Sequence, residues 1–213
     1  AERVIQLSRQ WRLPDGVPVV LLPGRLTGWK GQSILIEALA RLGHKQIRCL
    51  LVGSDQGRTG YRRSLEELSR RLDVESVVHI VGDCRDMPAA YMLADVVVSA
   101  STDPEGFGRV MVEAQAMGRP IIASDHGASR EIVRHGTTGW LFPPGDIRML
   151  SERIAHVIRL DEEHRHRIAD EAIRNAQENF SKDKMCSETL GVYREILNER
   201  VASAGAVLEN FAA

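Results

Sequence analysis

The sequence is poor in the features that mark disulfide scaffolds, metal centres, membrane spans and nucleic-acid readers. Its three cysteines, Cys49, Cys84 and Cys186, are odd in number, far apart and outside any C-x-x-C spacing, so neither a disulfide framework nor a zinc site is implied. A formal net charge of −1 and a pI near 6.7 leave no basic excess for a nucleic acid. No apolar run approaches the roughly 18 residues of a spanning helix, and no signal peptide opens the chain, so a cytoplasmic location is expected. His164 and His166, two apart in a helical stretch, face different sides and make no metal pair. There is no G-x-G-x-x-G, which argues against a dinucleotide oxidoreductase. Gly24-x-x-x-Gly28-x-Lys30 lacks the spacing of an NTPase phosphate loop. Internal repeats and low-complexity segments are absent as well.

What the chain does have is alternation. With 213 residues and 43% hydrophobic content it can build one sizeable core. Apolar runs over 17–22, 47–52, 77–81, 95–99 and 120–124, with a short one at 140–142, read as strands. Between them lie helical patterns over 32–42 (Ile34, Leu35, Ala38 and Leu42 inward), 61–72 and 87–93, and a helix that Gly118 and Pro120 terminate. Ser129 is expected to cap a helix through 135, and Asp146 one reaching 159, with two further helices behind it. This implies an α/β fold, a doubly wound Rossmann-like parallel sheet of about six strands with extra C-terminal helices. The chain opens on Ala1, and a helical pattern over 2–11 precedes the break at Pro14-Asp15-Gly16, as expected of a piece cut from a longer protein.

Right-handed crossovers gather the strand-end loops on one edge of such a sheet, where ligands bind. That edge collects Gly24 and Arg25, Gly53 and Ser54, Gly82 to Arg85, 103–108 and 125–127. Arg25 and Lys30 form a basic pair suited to a diphosphate; charge-assisted hydrogen bonds of that kind are worth about 1.5–3 kcal/mol each. Glu105, Gly106, Phe107 and Gly108 fall between a buried strand and a helix, with Phe107 and Gly108 offering backbone N–H groups. In that helix Val110, Ala114 and Met117 form an apolar stripe, with Glu113 lying among them although its type belongs opposite. A carboxylate there is placed to accept hydroxyl hydrogen bonds from a polar ligand. Arg85 and Met87 are candidate walls, and His126 is simplest as a loop histidine near the same edge.

These residues carry a family likeness. Glu105-Gly-Phe-Gly-Arg-Val-Met-Val-Glu113 resembles the donor-site signature of retaining glycosyltransferases of the GT-B fold, family 4 in particular. Gly24-Arg25-Leu26 followed by Lys30-Gly31, Gly127-Ala128-Ser129-Arg130-Glu131, Gly139 and Pro144-Gly145-Asp146 stand where similar family members carry matching segments. Two positions depart: Ala128 replaces a second Gly, and Arg109 takes a place more often apolar. The likeness runs over about 17–197.

The resemblance implies that residues 17–181 are the donor-binding half of a GT-B enzyme. Residues 1–16 would come from the interdomain region, and 182–213 would cross to a missing N-terminal half. It implies Glu105, Arg25 and Lys30 in catalysis. Glu105 would bind the donor sugar, Glu113 the ribose, and the basic pair the diphosphate. Gly24, Gly53, Gly82, Cys84, Arg85, Met87, Gly106, Phe107, Gly108 and Arg109 would line the donor site. The partners expected are a nucleotide diphosphate sugar and a glycan or lipid-linked acceptor, with no metal, no other cofactor and no nucleic acid. Bacterial cell-surface polysaccharide or lipopolysaccharide synthesis, on the inner face of the cytoplasmic membrane, is the expected setting. Alternatives are a non-catalytic nucleotide-sugar module and a GT-B epimerase or phosphorylase. A D-x-D-like metal pair at Asp103 and Glu105 is argued against by the basic pair on the opposite loop, since the resemblance implies cationic side chains in place of a metal. Met185, Thr189, Val192 or Tyr193, and Ile196 form an apolar stripe expected to fold back or to pair with another copy, with 201–213 frayed or helical only by contact.

Overall fold

The computed structural model describes the backbone of residues 1–43 and 46–211, and side chains as far as 198. Six strands, β1 (Val19–Pro23), β2 (Arg48–Val52), β3 (Val78–Gly82), β4 (Val96–Ser99), β5 (Ile121–Ser124) and β6 (Gly139–Phe142), form one sheet. All its ladders are parallel, in the order β3-β2-β1-β4-β5-β6. Leu21 lies opposite Leu50 on one side and Val97 on the other. Every residue of β1 is buried, as are Cys49 to Val52, because helices cover both faces and leave no side for polar residues.

The first helices are α1 (Glu2–Gln10), α2 (Gln32–Leu42), α3 (Thr59–Arg71) and α4 (Met87–Leu93). Then come α5 (Arg109–Ala116), α6 (Ser129–Ile132), α7 (Ile147–Ile158), α8 (Glu162–Asn179) and α9 (Lys182–Phe211). α2 packs on α7 and α3, while α1 packs on α4, where Arg3 grips the Asp86 carboxylate. Asp86 and Asp146 cap α4 and α7, the latter by accepting from the Met149 N–H at 2.8 Å.

Three helices differ from the sequence expectation. α2 turns Leu35, Ile36, Ala38 and Leu39 fully inward and leaves Ile34 and Leu42 part-buried. α5 buries Met111, Ala114 and Gln115, so the expected stripe of Val110, Ala114 and Met117 is rotated and Glu113 lies on its flank. The reason is that buried Gln115 is satisfied. Its Nε2 donates to the Ile132 carbonyl at 3.0 Å and its Oε1 accepts from Asn175 at 2.7 Å. α6 ends at Ile132, because Val133 turns extended. Ser129 does not cap it; its hydroxyl bonds instead to backbone carbonyls of the β5 turn, including that of His126 at 2.6 Å.

Contacts divide the chain into two units, Ala1–Asn175 and Ala176–Ala213. Along α9, Met185, Leu190, Val192, Tyr193, Ile196 and Leu197 are all exposed. The backbone expected to fray over 201–213 is helical as far as Phe211, and 212–213 lie outside the described residues. Among the described residues no helix is long and apolar enough to cross a membrane.

Candidate functional site

The strand order reverses between β1 and β4, so the loops leaving them part and open a crevice at the carboxyl edge. An open cleft of about 790 Å³ occupies it. From the first loop it is lined by Gly24, Arg25 and Lys30, from the second by Gly53, and from the third by Cys84 and Met87. The loop after β4 and helix α5 add Glu105, Phe107, Gly108, Arg109 and Glu113. Gly82, Arg85 and Gly106 do not line it. Gly82 is still within β3, its carbonyl taken by the Gly53 N–H at 2.7 Å, while Arg85 and Gly106 are exposed.

Lys30 and Glu105, 75 positions apart, meet at the centre. Lys30 Nζ donates to Glu105 Oε1 at 2.5 Å, with the two side chains only 13% and 15% exposed. The Ser101 hydroxyl donates to the same oxygen at 2.6 Å, and the ammonium sits 4.2 Å from the centroid of the Trp29 ring. Gly31 makes the meeting possible. Its φ is +72°, and a Cβ there would lie 1.9 Å from the Ala100 carbonyl oxygen, so the 3-10 turn Gly28–Lys30 rests directly on the end of β4. The Thr102 N–H donates to the Trp29 carbonyl at 2.7 Å and ties the same two loops. Gly53 lies as close beneath Gly24, where a Cβ would come within 2.0 Å of its carbonyl oxygen.

Arg25 is held by its backbone while its guanidinium stays open. Its carbonyl accepts from Gln32 Nε2 at 2.8 Å, and the wholly buried Gln32 accepts from the Tyr61 hydroxyl at 3.2 Å. Among the described residues neither Arg25 nor Arg109 has a carboxylate partner. Gly108 begins α5 in the left-handed region, and no side chain caps the helix, so first-turn N–H groups remain for an anion. On the opposite wall the Tyr91 hydroxyl donates to Glu113 Oε2 at 2.7 Å. Burial, then the Glu113 carboxylate, holds the Tyr91 phenol far above its usual range, and burial likewise pushes the Cys84 thiol up. His126 Nε2 lies 2.9 Å from the Ser101 carbonyl, so it carries the proton and braces the residue that braces Glu105. Asp103 is exposed and outside the cleft lining.

Trp29, Gln32, Tyr91 and Ser101 were not anticipated. Gln32 and Tyr91 sit at helix positions that read as an ordinary helix start and a core aromatic. Only a buried amide next to a basic loop, or a tyrosine one strand away from a stray glutamate, gave any hint. Asp83 also lines the cleft, from the same loop as Cys84.

The profile of the family described as glycosyl transferases group 1 matches residues 4–175, most of the chain. The chain belongs to that family. It is 32% identical over 198 residues to a D-inositol 3-phosphate glycosyltransferase of Xylanimonas cellulosilytica, covering 92% of this chain and 46% of that protein. HepE of Anabaena, solved in complex with UDP and glucose, superposes with a TM-score of 0.81 at 34% identity, over 89% of this chain and 52% of that one. The C-terminal domain of the group 1 protein LpcC from Francisella tularensis matches at TM-score 0.71 and 23% identity, over 85% and 95%, and shows the shared fold. The chain thus spans about half the length of the curated relatives it matches and has the fold of the GT-B C-terminal half.

Proposed function

We propose that residues 17–181 of this group 1 domain bind a nucleotide diphosphate sugar, and that the intact enzyme transfers its hexosyl group with anomeric retention. The observation that carries this reading is the single cleft in which Arg25, the Lys30–Glu105 pair and the uncapped start of α5 converge. Two cations and a helix N-terminus supply countercharge to a diphosphate and offset the charge that develops when the sugar leaves. Glu105 keeps its second oxygen for sugar hydroxyls, and Glu113, across the cleft, suits the ribose. The HepE complex with UDP and glucose supports a uridine nucleotide as the first ligand to try. The acceptor class we assign, a glycan or lipid-linked saccharide of the bacterial cell surface reached in the cytoplasm, rests on family likeness. Its site belongs to the half of the enzyme beyond this chain, with 182–213 as the segment that joins the halves.

Calorimetry of the chain with UDP, ADP and GDP, and with their glucose conjugates, tests the reading. One diphosphate series should bind, and at a hundredfold excess over Kd it should add about 2.7 kcal/mol of stability. The chain alone should transfer no sugar to any acceptor, because proximity of the second substrate supplies much of the rate. Lack of binding to all three nucleotides would contradict the assignment.

A further inference from the structure

We propose that Tyr91 is a positioning residue that holds Glu113 in the orientation needed to recognise a pair of ribose hydroxyls. The inference rests on the donor-binding role given to the cleft. Tyr91 is only 2% exposed, so its ring, fixed by burial at the end of α4, has essentially one place to be. Its hydroxyl donates to Glu113 Oε2 at 2.7 Å, and among the described residues no other side chain bonds that carboxylate. A free glutamate samples many rotamers, and a ligand that needs it must fix it first. Here the rigid phenol does so beforehand and engages one oxygen, leaving Oε1 and the remaining lone pairs for the ligand.

The phenol is also a constant donor. Burial and the neighbouring carboxylate hold its ionisation far above its usual range, so it stays protonated at every pH at which the protein is handled. Glu113 Oε2 therefore meets a standing donor, and Oε1 is the oxygen left toward the cleft. A vicinal diol, two O–H donors on adjacent carbons, fits such a carboxylate; a deoxy sugar leaves it unsatisfied. The pair thus acts as a filter for ribose over deoxyribose, built from residues 22 positions apart on two different helices.

The test uses whichever of UDP, ADP and GDP binds the unchanged chain, together with its analogue lacking both ribose hydroxyls. The unchanged chain should prefer the ribose form, and Tyr91→Phe should bind it roughly three- to tenfold more weakly. The analogue should bind both proteins alike, so the preference shrinks. Glu113→Gln should remove the preference, and adding Tyr91→Phe to it should change little further. Should Tyr91→Phe not fold, Glu113→Asp draws the carboxylate away from the phenol without touching the ring, and must show the same loss of preference. An equal loss for both ligands, or an unaltered preference in either variant, would overturn the inference while leaving the cleft assignment intact. Failure of the unchanged chain to bind any of the three nucleotides would overturn both.

Discussion

Lys30→Met should weaken nucleoside diphosphate binding by about 10- to 150-fold, the worth of one charge-assisted hydrogen bond, and destabilise the fold as well. The two effects have one origin. Lys30 is the counterion of Glu105, and with the two side chains only 13% and 15% exposed, its loss leaves a carboxylate that only Ser101 still serves. Removing one partner of a buried pair costs about 3–5 kcal/mol, and partial exposure puts this case near 3. Arg25→Ala separates the two roles. Arg25 is exposed and has no carboxylate partner among the described residues, so its loss should weaken binding to a similar degree and leave the melting temperature where it was. Calorimetry with UDP and thermal unfolding, run on both variants, give the two axes. If Lys30→Met lost neither affinity nor stability, the ion pair would be idle.

Gly31→Ala is expected to be among the most damaging single changes in the first loop. At φ +72° an alanine costs about 1–2 kcal/mol of backbone strain. Its Cβ would also stand 1.9 Å from the Ala100 carbonyl oxygen, which is backbone and cannot rotate away. The loop must then lift off β4, carrying Lys30 from Glu105, for a total of about 4 kcal/mol. That corresponds to a fall in Tm of roughly 8–16 °C. Gly16 supplies the control, since it has nearly the same φ, +71°, but a Cβ added there would meet nothing within 4 Å. Gly16→Ala should therefore show the strain alone. Equal losses at the two positions would mean that the close approach at Ala100 plays no part.

Much of the fold was legible because parallel strands buried on both sides advertise themselves. Val96 to Val98 and Leu50 to Val52 have no polar residue to confuse the pattern, and the punctuation of Pro14-Asp15-Gly16 and Gly118 is local. Helix phase was harder. Gln115 reads as an outward residue, and nothing nearby reveals that Asn175, 60 positions on, reaches it. That pairing rotates α5 and places Glu113 at the flank instead of within the stripe. In the cleft, Arg25, Lys30, Glu105 and Glu113 stand out by charge at strand ends and by their spacing. Tyr91, Ser101 and Gln32 do not, because each acts by touching a residue on another element, and such meetings are decided by strand order. Gly82 and Arg85 lie outside the cleft lining for a related reason. β3 extends to Gly82, which commits that carbonyl to the ladder and leaves Arg85 at the surface.

The most direct test of the central claim is a crystal structure of the chain with UDP. The diphosphate should lie against Arg25, Lys30 and the first turn of α5, with the ribose hydroxyls on Glu113 and the base beside Gly53 and Cys84. Nucleotide bound on another face, with the cleft between β1 and β4 unoccupied, would contradict the account.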